Sequence, residues 1–461
     1  MPLTTHLQNP LPSPLFSSPF QSGITDPLWP ENFPGHIVGS DVRDYLQQQI
    51  ESGRMASFDV DELDFDHLQE SYEADYAGRV SRQDFQSIMR ADVLTDSQTE
   101  LQQVLKLLSE FAVGEMAKSP SKKHVRILEA IPDSYRLTVT VGFGASLFVD
   151  KTGFDRFGLR AKKPRFLKQM PELPGDDESL DVEASASDLI IIISSDHPYI
   201  NTAVVRFFAE YFNKHYHARY SDSNEPSDVV RFGTVETGFA RKDKREYLKF
   251  DDGIDNLHMG ADDLKRLVYV DESDHEPEWC LHGSYLVYRK IRENMPIWEA
   301  FSDETQEGFI GRKKATGMPL SREKTGPDDL VPVFPDPLDA ADGPLDAHIR
   351  KVQPRRPDPD LFGLDDQERR FLRRPYPFFD GLDESGQAIN GLQFIAFMKS
   401  IQRQFEHVVN MWQMNPDFPK GGVGIDALFA KNVLSTIDGG YYFCPPGLTD
   451  ADDYFGSGMF N

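Results

Sequence analysis

Two cysteines in 461 residues, Cys280 and Cys444, stand far apart in the chain. That scarcity excludes a disulfide framework and any CxxC metal site, and it suits a reducing compartment. No run of about 18 apolar residues occurs, and the amino terminus, "MPLTTHLQNPLPSPLFSSPF", has no basic start, twin arginine or apolar stretch. The expectation is a soluble, cytoplasmic protein with no membrane partner. Basic residues are in deficit too: 49 Lys and Arg against 75 Asp and Glu give a formal charge of −26. Nucleic acid would be repelled and is not an expected partner. GxxxxGK[ST], GxSxG and HExxH patterns are absent, and "GFG" at Gly142 to Gly144 lacks the third glycine and the helix of a dinucleotide loop. It reads as a strand end.

What is present is core-forming: 39% of residues are hydrophobic and 11% aromatic, enough for a large folded protein. The first 35 or so residues, rich in Pro, Ser and Phe, read as an extended arm, and the acidic stretch from 36 to 87 has only weak helical periodicity. Regular structure follows. "IMRADVL" reads as a strand, 97 to 117 as a helix with three-and-four apolar spacing, and "YRLTVTVGFG" and "SDLIIIISSD" as strands. "INTAVVRFFAEYFNKHY" is a second amphipathic helix and "DVVRFGTVE" a fourth strand.

The second half repeats the element order: strand "GSYLVYRKI", helix "PIWEAFSDETQEGFIG", strand "GLQFIAFMKSI", helix "QRQFEHVVNMW", strand "GGYYFCPP". The order βαββαβ implies an α+β fold of two ferredoxin-like units, each an antiparallel sheet with helices on one face. The expected divisions are 1–87, arm and acidic insertion; 88–243, the first unit; and 244–461, the second.

Between the elements of the second half lies a long segment, about 312 to 370, rich in Pro, Asp and Arg. Loops of that length are functional or disordered. It contains "LDAHIRKVQPRRP", a stretch too proline-rich for a helix, with His348 beside Arg350, Lys351, Arg355 and Arg356; "FLRRPYPFF" adds Arg373 and Arg374. Such a loop suits a ligand carrying carboxylates, although a basic loop in an acidic protein is most often a set of internal ion pairs. The "HYH" of His215 and His217 has the residue type of a metal site, but it sits at a helix end without nearby cysteine and reads as a polar last turn.

"AHIRKVQPR", "FLRRPYPFFDGL", "GLQFIAFMKSIQRQFE" and "GGYYFCPPG" together resemble the C-terminal half of the dye-decolourising haem peroxidases. "RLTVTVGFGASLF", "RFGL", "SDLIIIISSD" and "FDDGIDN" resemble the family's N-terminal half in the same order, and "FQSGIT" is similar to its opening segment. The resemblance covers roughly 88 to 461 and leaves 28 to 87 as an insertion. It implies one haem b per chain, with His348 as the axial ligand of the iron and Gln353, Pro354 and Arg355 near the haem edge. Imidazole is the usual proximal ligand of peroxidase haem, and cations suit its propionates. Asp426 matches the carboxylate that accepts from the proximal histidine; it is otherwise a loop-turn aspartate.

On the distal side the resemblance implies Asp252 as the acid-base group and Arg373 as the charge that stabilises the departing oxygen and favours the ionised aspartate. Gly253, Ile254 and Asp255 would follow the haem face, and "DDGID" is otherwise an ordinary turn. Leu392 and Phe394 match distal pocket residues, or are plain strand core. Trp412, Tyr376 and Tyr441 are candidates for carrying oxidation to the surface, although residues of this kind more often serve packing alone. The implied activity is a peroxidase that uses hydrogen peroxide to oxidise dyes, phenols and other small aromatic donors through an oxyferryl intermediate. Homo-oligomerisation is left open.

One residue departs from the pattern. Lys249 replaces the first glycine of the GxxDG motif, and at a positive φ it would strain the turn that carries Asp252. A haem-binding or haem-handling protein with a weakened distal site is therefore the rival reading.

Overall fold

The computed structural model describes residues 82–112, 137–221, 227–241, 243, 245–257, 261–321, 330, 332, 343–356, 363–448 and 453–461, with the backbone of 36–37. The N-terminal arm with "FQSGIT", most of the acidic stretch and the end of the 97–117 helix lie outside the described residues.

A two-residue strand, β1 (His36–Ile37), pairs with the edge of β3. The first unit then runs β2 (Phe85–Val93), α1 (Gln98–Glu110), β3 (Thr138–Gly144), β4 (Leu189–Ser195), α2 (Pro198–Tyr220) and β5 (Val230–Phe239). Ser97 starts α1 by accepting from the Glu100 amide at 3.3 Å, and Leu101, Val104, Leu105 and Leu108 give it one buried stripe. In α2, His197 caps and Pro198 opens the first turn. "LIIIISS" in β4 is buried along its whole length, because helices cover one face and the barrel interior the other.

The second unit runs α3 (Ala261–Leu267), β6 (Ser284–Glu293), α4 (Met295–Glu299), α5 (Asp303–Ile310), α6 (His348–Val352), β7 (Leu372–Arg373), β8 (Tyr376–Leu382), β9 (Ala388–Met398), a wide helical segment over 402–413, α7 (Ala427–Ala430) and β10 (Leu434–Cys444). Read from β5, the first sheet has the order β5-β2-β4-β3; read from β10, the second has β10-β6-β9-β8. Both are fourth-first-third-second, the ferredoxin-like arrangement expected from the element order. All pairings among these strands are antiparallel.

Two thin seams join the sheets: Tyr442 and Phe443 face Gly144 and Phe143, and Gly238 faces Phe378. With β3 paired to β4, the strands close into a barrel. Gly144 is required at its seam, because a Cβ there would stand 2.0 Å from the Ser187 carbonyl oxygen. Ile88, Ile190, Ile192, Leu286, Ile395 and Phe397 fill the interior, and a larger apolar core lies under α1 and α2.

Several elements differ from the sequence reading. The stretch judged too proline-rich for a helix forms the single turn α6; it ends at Val352, and Pro354 lies beyond it. The helix expected from 296 to 311 is broken into α4 and α5, where Ser302 accepts from the Thr305 amide at 3.3 Å and starts a new helix. β8 was unrecognised: "YPFFDGL" carries a proline and a glycine and is buried only in its first half. The helix at 402–412 winds with i→i+5 bonds, among them Glu406 N to Ile401 O at 2.8 Å and Met414 N to Val409 O at 2.9 Å. The carboxyl-terminal tail packs inward, burying Phe455 and Met459. Among the described residues no helix is long and apolar enough to cross a membrane.

Candidate active site

A cavity of about 280 Å³ lies against the second sheet. Strand alternation explains its wall: Arg289, Ile291 and Glu293 of β6, Leu392 and Phe394 of β9, and Leu434 and Thr436 of β10 share the cavity face. The wide helix supplies Phe405, Val408, Val409, Trp412 and Gln413 opposite, whose three-and-four spacing puts them on one side.

His348 begins α6 and lines the cavity. Its Nδ1 is 2.7 Å from Oδ2 of Asp426, a fully buried residue at the N-cap of α7. Asp426 does two jobs at once, since Oδ1 accepts from the Leu428 amide at 3.0 Å and Oδ2 also accepts from Gln413 Nε2 at 3.1 Å. The amide of Ala427 is tied to the Asp346 carbonyl at 3.0 Å, which joins the starts of the two short helices. Nδ1 is thereby engaged, and Nε2 is the ring nitrogen left for a ligand.

The opposite wall is the turn 248–255. Lys249 has φ +70°, the left-handed conformation that the glycine of the motif would adopt without cost. The turn nevertheless closes: Glu246 Oε2 accepts from the Leu248 amide at 2.5 Å, and the Lys249 amide donates to the Glu246 carbonyl at 3.0 Å. Asp252, Gly253, Ile254 and Asp255 all reach the cavity wall. The cation nearest Asp252 in a resolved ion pair is Arg82, at 3.7 Å, rather than Arg373. Arg373 shares the cavity with Asp252, and its backbone is pinned by Asn256, whose Nδ2 donates to the Arg373 carbonyl at 2.7 Å.

The basic residues divide. Of those singled out in sequence, Arg355 and Arg373 line the cavity. Lys351 is buried and donates to the carbonyls of Asn415, Phe418 and Gly424 at 2.6 to 2.9 Å, which fixes the loop behind Asp426. Arg356 pairs with Asp366 and Arg374 bonds Gln83. Arg312, Arg369 and Arg370 were missed and also line the cavity. Arg312 is pushed down to about 10, by burial and then by Arg355; Arg355 and Arg370 are lowered chiefly by burial as well. Asp255 holds Arg355 and Arg370 together, and these cations keep its carboxyl below the usual range against the effect of burial. Gln353, its amide turned to fit, bridges Asp255 and Arg370 at 3.2 Å each. Pro354 is buried but is not on the cavity wall.

Sequence signals existed for some of the missed groups. "ERRFLRR" doubles its arginine pairs, and "SYLVYRKIRE" changes from apolar to charged at the β6 end that lines the cavity. Trp412 lines the cavity, whereas Tyr376 and Tyr441 are buried outside it. His215 packs against Phe111 and Phe207 at ring distances of 5.4 and 5.9 Å.

Comparison with known proteins agrees with this architecture. The family model "Dyp-type peroxidase, N-terminal" matches residues 81–221, and "Dyp-type peroxidase, C-terminal" matches 243–449. The deferrochelatase of Escherichia coli (strain K12) is 27% identical over 382 residues, 80% of this chain and 81% of the relative. The oxyferrous complex of DtpA from Streptomyces lividans superposes with a TM-score of 0.64 at 25% identity, over 83% of this chain and 94% of that one. A DyP-type peroxidase from Cellulomonas bogoriensis shares the fold, with a TM-score of 0.62 at 21% identity over 82% and 94% of the two chains. Two halves of one family, matched in order along a single chain, make this protein a member of the Dyp-type peroxidase family.

Proposed function

We propose that the protein is a haem peroxidase that reduces hydrogen peroxide at the expense of dyes, phenols or similar one-electron donors. The observation that carries this reading is His348 on the cavity wall with Nδ1 held by buried Asp426, facing a cavity that also contains Asp252 and a cluster of arginines. The donor set fits a haem: an imidazole nitrogen for iron, apolar walls for the macrocycle, and the cations Arg312, Arg355, Arg369 and Arg370 on the wall for its carboxylates. The barrel reads as two units, 88–243 and 244–461, with the haem ligand in the second.

Haem, when bound, supplies the redox change that peroxide cleavage requires and passes it on in one-electron steps. The chain's own groups do the rest. His348 Nε2 would hold the iron, and Asp426, accepting from Nδ1, would make the imidazole a stronger electron donor. Arg312, Arg355, Arg369 and Arg370 would meet the propionates. Asp252 would take the proton from one oxygen of hydrogen peroxide and return it to the other, so that the O–O bond breaks with water leaving. Arg373 and Arg82 would offset the negative charge that develops as it leaves.

The test is steady-state turnover of a dye and of a phenol by the haem-loaded protein with hydrogen peroxide, beside Asp252→Asn. Sustained oxidation that falls on the order of a hundredfold in the variant supports the reading. A protein that binds haem and oxidises neither donor would instead favour the second reading, haem handling, which the left-handed Lys249 beside Asp252 and the likeness to a protein called deferrochelatase both recommend.

A further inference from the structure

Glu293 ends β6 on the cavity face, two residues beyond Ile291 and four beyond Arg289. Arg289 is paired with Asp176, but no ion pair reaches Glu293 among the described residues. Glu293 is only 3% exposed, and its Oε2 has no hydrogen-bond donor among them. A second carboxyl, Glu246, lines the same cavity and lies close enough to act on its charge. Glu246 is fixed from below by the amides of Leu248 and Phe250, at 2.5 and 3.3 Å, the same turn that delivers Asp252. Around the turn lie Leu248, Phe250, Trp298, Leu428 and Val433, an apolar cluster.

Asp252 adds negative potential to both carboxyls, and the Tyr247 phenol is itself raised by burial and by Glu293. Nearby cations are engaged elsewhere: Arg82 with Asp252, Arg292 with Asp383, and Lys290 with Glu236 and Asp380. Two carboxylates in contact in a dry site cannot both be ionised. Burial, with the charge of Asp252 added, pushes Glu246 up to about 8 and Glu293 well above the usual carboxylate range.

We infer that Glu246 and Glu293 hold a proton between them and pass it to Asp252, acting as positioning residues that feed protons to the peroxide site. The inference rests on the peroxidase reading. Reduction of one hydrogen peroxide to two waters takes up two electrons and two protons, and donors oxidised outside the cavity release their protons to solvent. Protons must therefore enter the cavity separately. In each delivery an O–H bond of the pair breaks, an O–H bond forms on Asp252, and no electron moves; solvent then reprotonates the pair at Glu246, the less buried member.

The test uses the full chain loaded with haem, as wild type, Glu293→Gln, Glu246→Gln and Glu293→Asp. Infrared difference spectra in light and heavy water are paired with kcat and KM for hydrogen peroxide across pH. The expected wild type has a deuterium-sensitive protonated-carboxyl band at neutral pH that fades above about pH 8, with kcat falling over the same range. Both glutamine variants keep the haem spectrum, shift the band and its pH range and drop kcat on the order of tenfold at neutral pH with KM little changed, while Glu293→Asp restores part of each. If the band is missing in the wild type, or if both glutamine variants keep the wild-type kcat and pH profile, the inference is overturned while the peroxidase reading stands. Wild-type protein that takes up haem and turns over no peroxide overturns both.

Discussion

The two units share one strand order and differ in what lies on their sheets. Over the first sheet, α1 and α2 seat Leu101, Val104, Phe207, Phe208 and Phe212 onto Met89, Val141 and Ile191 in one apolar core. Over the second, the corresponding connections are short or distorted: α4, α5 and α6 are of eight residues or fewer, and the helix before β10 is wound wide. The same topology carries a helix-covered apolar core on one side and the cavity on the other. The lesson is that the cavity is made by breaking helices, not by altering the sheet, and that polar groups can then occupy strand positions that are apolar in the packed unit. Arg289 and Glu293 stand on the cavity face of β6, whereas its counterpart β2 turns Met89, Ala91 and Val93 into the helix-covered core.

The contrast predicts which changes cost binding and which cost stability. The largest effect is expected from His348→Ala: the hollow half should lose its haem ligand while the packed half, which His348 does not touch, keeps the fold; haem titration with circular dichroism checks this. Phe208→Ala, in the packed half, should cost about 3–5 kcal/mol of unfolding free energy and leave the haem spectrum unchanged. Denaturant melts of the two variants would break the comparison if their effects were exchanged. Asp426→Asn should keep haem but reduce peroxide turnover about 10- to 100-fold, since the imidazole loses a carboxylate partner.

The smallest effect is one of pH. Glu246 is raised in the folded state to about 8, so the folded protein holds a proton that the unfolded chain releases near the ordinary glutamate range. Stability contributed by that proton is complete below that range and is lost as pH rises through about 8. Melting temperature should therefore decline over that window in the wild type and less steeply in Glu293→Gln, whereas the packed unit offers no comparable carboxyl pair among its described residues.

Much of this was legible in the sequence, and the legible parts have a common cause. Regular periodicity revealed β2, α1, β4 and α2, where packing is dense and each apolar residue has a neighbour to meet. The residues gathered around the cavity, His348, Asp252, Asp255, Arg355, Arg373, Leu392 and Phe394, came through resemblance, because no local spacing joins positions separated by more than a hundred residues. Readings failed where local rules were overridden. The one-turn α6 is held by Asp346 bonding Ala427 rather than by propensity, and β8 survives its proline because it lies at the seam of the second sheet. Arg82, Arg312, Arg369, Arg370 and Glu293 carried no periodic signal. The doubled arginines of "ERRFLRR" and the charged end of "SYLVYRKIRE" hint at three of them, but only the tertiary fold brings them to the cavity.

The most direct test of the account is the visible absorption spectrum of the haem-loaded chain before and after one equivalent of hydrogen peroxide, recorded beside His348→Ala. The account predicts a Soret band that depends on His348 and shifts rapidly when peroxide is added. A band of equal strength and position in the variant, or a wild-type band indifferent to peroxide, would contradict it.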